Sequence, residues 1–360
     1  MGTIKLQTVK TAGKKSVSFT LNGSGDMTVS WGDQARSGSG EVPVSGSSAS
    51  HEYAAPGTYN IVIRGNEITK LWCVEDDLVS LDLSQNPELT VLYCQNNSLK
   101  SLNVGNLSRL EELGCNNNSL TELTVGGKST LKSFNCSANA LTSLDVSGFT
   151  ALKSLTCHTN HLKKLGIGGC KALEVLSCYK NELDNLNPTS IRRPIEAQIQ
   201  TGRAAAALDR APLDKNATVL ASELSSISDM NEFVNMKHLY CHSNQLKGLS
   251  IAKCVLMETV YCGDNLLKNL VTDHLPKLTR LSCRTNQLEN IDLSGCSSLK
   301  TVYCYDNPLV CLTVTGCASL DNIYVSYVPE EEMNEETSGT LTLKQFELGR
   351  EPNVTDIRRK

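Results

Sequence analysis

The chain has 360 residues, a formal net charge of −4 and 20% charged side chains. That is length enough for two domains and a large apolar core, and it is neither the basic footprint of a nucleic-acid binder nor an acid-rich disordered chain, so no nucleic-acid partner is expected. No apolar run reaches the ~20 residues of a membrane helix, so no membrane span is expected; no secretory leader opens the sequence, which reads as a mature chain already trimmed of its signal segment.

Residues 3–66 are rich in Ser, Thr, Gly and Val and do not repeat. Alternating runs at Ile4–Thr8, Val17–Leu21, Met27–Trp31 and Thr58–Ile63, separated by Gly/Ser turns, predict an antiparallel all-β region. Two stretches stand out: Val29-Ser30-Trp31-Gly32-Asp33 and His51-Glu52-Tyr53-Ala54-Ala55-Pro56-Gly57-Thr58-Tyr59-Asn60-Ile61. They resemble the motifs of PKD-like, immunoglobulin-type β-sandwiches, with Gln34 standing where that motif has a second glycine. The resemblance implies a sandwich over 1–66, filled by Trp31 and Tyr59, with Asp33 pinning a turn through its backbone.

From Ile68 the chain repeats with a period of 21. Leu89, Leu92, Cys94, Asn97, Leu99, Leu102 and Val104 set a pattern that returns from Leu110, Leu131, Leu152 and Leu173. A fixed period of this length with leucines at these offsets is the signature of leucine-rich repeats. One such coil cannot bury its own apolar face, but stacked coils bury a continuous core. Leu92 and Cys94 alternate with exposed positions, which predicts a short strand with both side chains inward and a parallel sheet along the stack. Asn97, Asn118, Asn139 and Asn160 fall where the chain turns out of that strand. A side-chain amide both donates and accepts, so this column can satisfy buried backbone groups coil after coil.

Ten of the fifteen cysteines share the inward register, among them Cys94, Cys115, Cys136 and Cys157. Cys170, Cys254, Cys296 and Cys317 share a second register, and Cys311 stands alone. Side chains in register on parallel strands do not readily reach the disulfide torsion, so buried, inert thiols are expected. At these residues the chain resembles the internalin J-like cysteine-ladder leucine-rich repeats and the 21-residue repeats of secreted and surface proteins of Bacteroidetes, over roughly 68–325. The resemblance implies a right-handed solenoid and an adhesin-like bacterial protein, secreted or held at the cell surface.

The pattern breaks after Leu186, and Cys241 follows Cys178 by three periods. The solenoid, 67–326, is therefore expected to carry an irregular insertion at 187–235: an excursion over 187–212, then a degenerate coil through Val219, Ser222, Leu224 and Ile227. Regular coils resume at Met236 and run to Val325. The tail, 327–360, is acidic at 330–336 and alternates at Thr340–Leu348, which suits a C-terminal cap of one or two edge strands. The predicted fold class is mainly β: a PKD-like sandwich over 1–66, the solenoid and the cap.

No nucleophile elbow, P-loop, zinc-protease helix motif or Cys-x-x-Cys is present, so no enzyme, cofactor or metal is expected. His238 and His242 would lie ~13 Å apart on a strand, too far to share an ion. The informative residues flank the ladder cysteine and point away from the core. Seven of the ten tyrosines fall there. Five lie late in the chain, Tyr240, Tyr261, Tyr303, Tyr305 and Tyr324, with Arg280, Arg284, His238 and His242 beside them. Tyr and Arg dominate binding hot spots. These residues predict a concave face that recognises a protein, a host extracellular protein being one candidate and a glycan the second choice. Ser282 is expected to open a gap in the tyrosine row. The alternative is a structural spacer with no ligand of its own.

Overall fold

The structure, a computed structural model, describes residues 2–33, 40–127, 129–186 and 227–325, together with the backbone of 345–347 and 356–359. Among the described residues every element is a strand. The chain divides into two compact units, residues 1–163 with 169–181, and residues 164–168 with 182–360.

The first unit opens with β1 (Gly2–Lys10), β2 (Ser16–Ser30), β3 (Glu41–Pro43), β4 (Ser48–Glu52), β5 (Gly57–Trp72) and β6 (Leu78–Asp82). β1 lies antiparallel between β5 and β6. β2 pairs with β5 along one edge and with β4 and β3 along the other. The runs Val17–Leu21 and Met27–Trp31 therefore belong to one long strand, whose register against β5 shifts around Ser24. Gly23 and Gly25 give the chain the freedom for this bulge; Gly25 takes φ +73°.

Trp31 and Tyr53 are buried, and the Tyr53 hydroxyl donates to the Trp31 carbonyl at 2.8 Å. Tyr59 is half-buried and stacks on Tyr53 at 3.7 Å. Tyr53 rather than Tyr59 thus takes the interior place beside Trp31. Asp33 acts through its carboxylate: Oδ2 lies 2.7 Å from His51 Nε2, and the His51 ring stacks on Trp31. Gly32 is required here, because its φ is +79° and a Cβ would come within 2.3 Å of the Asn60 carbonyl oxygen.

β5 passes through residue 66 without a break. Its first half pairs with β1, and its last residues, Lys70, Leu71 and Trp72, pair in parallel with Val91–Tyr93. From there Glu112–Gly114, Ser133–Asn135, Ser154–Thr156 and Val175–Ser177 add in register, one strand per coil. In the second unit a row of the same kind runs from His238–Tyr240 through Thr259–Tyr261, Arg280–Ser282 and Thr301–Tyr303 to Asn322–Val325. Each coil also makes a second short strand that the sequence analysis did not foresee. Ser101–Asn103 pairs with Glu122–Thr124, and Gly248–Ser250 with Asn269–Val271. The Leu-x-Val step of the repeat alternates as the Leu-x-Cys step does, burying Leu102 between exposed Ser101 and Asn103.

The ladder cysteines are fully buried. Burial pushes the thiols of Cys94, Cys178, Cys262 and Cys304 up to about 12. It pushes Cys115, Cys136, Cys157 and Cys283 well above the usual thiol value. In the second register Cys170, Cys254 and Cys317 donate their S–H to the carbonyls of Val146, Met230 and Leu293 at 3.1–3.2 Å. Thiolate is the reactive form. At pH 8 a thiol reagent should therefore label the native protein slowly, with half-buried Cys311 reacting first. Denaturation should release all fifteen thiols. Rapid native labelling at several ladder positions, or a mass showing several disulfides, would refute this.

The Asn column fastens each coil to the one before it. Asn139 donates Nδ2 to the carbonyls of Cys115, Cys136 and Ser137 at 3.1–3.2 Å and accepts the Leu120 N–H at 3.0 Å. Asn97, Asn118 and Asn160 do the same in their coils. Asn160, Asn244, Asn265, Asn286 and Asn307 are buried, whereas Asn97, Asn118 and Asn139 are half-buried, less enclosed than the pattern implied. The residue before each Asn is left-handed. Asn96, Asn117, Ala138, Thr159, Lys180, Ser243, Asp264, Thr285 and Asp306 have φ between 51° and 58°. That conformation disfavours β-branched Thr159 and Thr285 in particular, and the amide that ties down both flanks of the turn holds it.

In the second unit the insertion leaves little mark on the stack. Leu183 donates its N–H to Asn244 Oδ1 at 3.1 Å, and its carbonyl accepts from Gln245. Adjacent coils make these same two bonds elsewhere. Of the expected degenerate coil, Val219, Ser222 and Leu224 lie outside the described residues. Its last part, Ile227–Asp229, is an ordinary second-row strand paired with Gly248–Ser250. Met230, Phe233 and Met236 follow it, buried in the register of Ile251, Cys254 and Met257. At the C-terminal end Leu312 pairs with Phe346, and Ile323 with Ile357. Both partners lie 34 residues on instead of 21, so the tail supplies one further strand to each row.

Candidate functional site

The outward residues of the first-row strands in the second unit form three adjacent columns. Tyr240, Tyr261, Ser282, Tyr303 and Tyr324 make the middle one, with His238, Thr259 and Arg280 on one side and His242, Gly263, Arg284 and Tyr305 on the other. Strand pairing at ~4.8 Å sets the spacing. Because the core leucines and cysteines lock the strands, these side chains project from a rigid base. All nine of the sequence-identified residues are described; Arg280 is exposed and the others are half-buried.

Their contacts divide the row. Tyr303 and Tyr324 stack at 4.5 Å, nearly parallel, and Tyr240 and Tyr261 meet at 5.5 Å, tilted by 50°. His238 stacks beside Tyr240. Burial, the largest cause, and the neighbouring Tyr261 raise the Tyr240 phenol above its ordinary value. Arg284 reaches back to Asp264 with two nitrogens, at 3.1 and 2.8 Å, and its guanidinium lies 5.8 Å from the Tyr305 ring. Gly263 makes room for this, since a Cβ there would sit 3.0 Å from Arg284 Cγ. Ser282, the small residue of the row, is 9% exposed. Arg280, two residues earlier on the same strand, reaches the Tyr261 hydroxyl at 3.3 Å.

The first unit carries aromatic pairs at the corresponding outward positions. Trp72 stacks with Tyr93 at 6.2 Å, and the Tyr93 hydroxyl donates to Glu112 at 2.6 Å. That bond, with burial, pushes the Tyr93 phenol up to about 12. His158 and Tyr179 stack at 4.2 Å. All four stand at outward positions flanking the ladder cysteines, which the repeat marks in the sequence; only their pairing between coils was not foreseen. On the second row of the second unit, Asn269–Val271 and Asn290–Asp292 belong to separate sheets. The Thr272 hydroxyl bridges to the Asp292 carbonyl at 2.7 Å, and an open groove of about 620 Å³ lies there, lined by Lys268, Gln287, Glu289 and Pro308. Its lining is mostly polar and brings no acid, base and nucleophile together. Among the described residues no cluster of His, Cys, Asp and Glu is placed to hold a metal, and no helix is long and apolar enough to cross a membrane.

No protein-family model matches the chain, and no curated protein matches it. Solved structures do. The functional domain of InlJ from Listeria monocytogenes, which includes a cysteine ladder, is 21% identical with a TM-score of 0.46, over 71% of this chain and 55% of that one. YopM from Yersinia enterocolitica is 20% identical with a TM-score of 0.43, over 76% of this chain and 56% of that one. The leucine-rich repeat domain of APL1B is 18% identical with a TM-score of 0.43, over 67% and 69%. The chain thus spans little more than half the length of the first two.

Proposed function

We propose that the protein is a non-enzymatic recognition module whose first-row face in the second unit, read as the concave face of a right-handed solenoid, docks a protein ligand. One observation carries this reading: a row of tyrosines and an exposed arginine stand on strands fixed by a buried core, where small polar residues would have served the sheet as well. The setting is that of a secreted or surface-attached bacterial adhesin-like protein, with a host extracellular protein as ligand. The N-terminal sheet is then a PKD-like sandwich, and residues 327–360 a cap. A glycan ligand is the second reading, and the flat ring pair Trp72–Tyr93 is the feature that favours it. A ligand-free spacer is the alternative that the test must exclude.

The test is a binding screen against host extracellular proteins and glycans, repeated with variants. Tyr240→Ala, Tyr261→Ala and Tyr303→Ala should each weaken a captured protein by ~2 kcal/mol, about thirtyfold, while leaving the denaturation midpoint close to that of the parent. Asn135→Ala and Thr156→Ala, at equivalent positions in the first unit, should bind like the parent. If all three tyrosine variants also bind like the parent, the row is only a well-paired sheet surface.

A further inference from the structure

We infer that Arg280, set among the Tyr240, Tyr261 and Tyr303 phenols, is a receptor for a carboxylate, and that the protein docking on this face presents an aspartate or glutamate there. The inference rests on the recognition face proposed above and names the chemistry of its partner.

The two arginines of the face differ in what they have left to give. Arg284 is spent: Asp264 takes two of its nitrogens and neutralises its charge. Arg280 is exposed and enters no ion pair among the described residues. Its one hydrogen bond there goes to the Tyr261 oxygen at 3.3 Å. A guanidinium carries five N–H donors in a fixed fork, so most of them remain free to face solvent. A phenol whose oxygen accepts from Arg280 still has its own O–H to donate. Tyr240 and Tyr303 lie close enough for their phenols to interact electrostatically with the same guanidinium. The result is one positive charge with no ion-pair partner among the described residues, beside a Tyr261 hydroxyl that can donate to the same anion.

That arrangement selects an anion, and its charge selects which. One free guanidinium balances one negative charge, and a carboxylate brings one in the planar geometry that the fork meets bidentately. A phosphate monoester, which the fork can also meet bidentately, brings close to two charges and would leave one of them unbalanced here. The aromatic surroundings also accept the apolar stem of a glutamate and the backbone beside it, as a protein segment would supply.

Random peptides displayed on phage and selected on the full chain test this. Winners are then resynthesised and measured on the parent, on Arg280→Gln, on Arg280→Lys and on Tyr261→Ala. Heparin is measured in parallel as the sulfated-glycan probe. The expected winners are enriched in Asp and Glu. Replacing the peptide's acid by its amide should weaken binding to the parent about tenfold or more and leave binding to Arg280→Gln unchanged. Arg280→Lys should restore part of the loss, since the charge returns without the fork. Winners that need the tyrosines but show no acid enrichment and ignore Arg280→Gln would overturn the carboxylate receptor and leave the recognition face standing. Binding of heparin alone, lost in Arg280→Gln, would overturn it in favour of a sulfated glycan. Peptides indifferent to every variant, or no winners, would overturn the face and the receptor together.

Discussion

Asp76→Asn should make the protein more stable at neutral pH by about 3 kcal/mol and remove a pH dependence that the parent shows between roughly pH 4 and 6. Asp76 stands in the first coil where Asn97, Asn118, Asn139, Asn160, Asn181, Asn244, Asn265, Asn286 and Asn307 stand in later ones. It is 3% exposed. Its Oδ1 accepts the Ser18 N–H at 2.8 Å, while its Oδ2 is enclosed without a partner. Nearby Lys10 bonds the Asp76 carbonyl and the Asp77 carboxylate rather than this oxygen. Burial therefore dominates and raises Asp76 to about 6. In the unfolded chain the same group ionises near ~3.9. Below that pH both states hold the proton and nothing is lost. Between the two values unfolding releases a proton, so rising pH favours the unfolded chain, and above 6 the full penalty stands. Asparagine keeps the acceptor for Ser18 and supplies an Nδ2 donor for the Cys73 carbonyl. That carbonyl takes only the Asn97 amide among the described residues, whereas the Cys94 and Cys115 carbonyls each take two. Urea denaturation at pH 4 and pH 7.5 checks it. A variant with the parent's pH profile, or one less stable at pH 7.5, would show that the enclosed carboxylate is satisfied in solution.

Asn286→Ala should cost about 3 kcal/mol, Asn139→Ala about 2, and Asn116→Ala less than ~0.5. Asn286 donates to the carbonyls of Cys262, Cys283 and Arg284 at 3.0–3.1 Å and accepts the Leu267 N–H at 2.9 Å, all behind a side chain only 9% exposed. Alanine leaves that N–H alone and frees the left-handed turn at Thr285. Asn139 makes the same four bonds half-buried, so water replaces part of what is lost. Asn116 faces outward on the strand's other side. Denaturation midpoints of the three variants settle the ranking, and equal midpoints for Asn139→Ala and Asn116→Ala would mean that the register is wrong.

What could be read from sequence depended on repetition. Leu92, Cys94 and Asn97 recur so often that their inward register and turn position followed from pattern alone. The second-row strands escaped because Ser101–Asn103 and its equivalents are three residues long, and nothing but pairing with the next coil makes them strands. Ile227–Asp229 looks degenerate as text because Ser228 replaces the usual leucine, yet its hydroxyl accepts the Leu186 N–H at 2.9 Å and keeps the place. In the candidate site the positions of Tyr240 and Arg280 were legible, but their partners were not. The pairing of Arg284 with Asp264 and the reach of Arg280 to Tyr261 are choices among rotamers, and a column of letters does not record them.

Every amide of the Asn column points the same way. Each reaches back to the carbonyl and N–H of the coil already laid down, and none reaches forward. A coil is thus fastened by its own asparagine, not by its successor's. During synthesis, when the amino-terminal end emerges first, each new turn arrives carrying the clasp that joins it to finished structure, and it need not wait for residues still to be translated. The first turn, with β1 and β2 behind it instead of another coil, hooks onto Ser18. A stack built this way can be lengthened at its far end by gene duplication one turn at a time, because every added turn brings its own attachment.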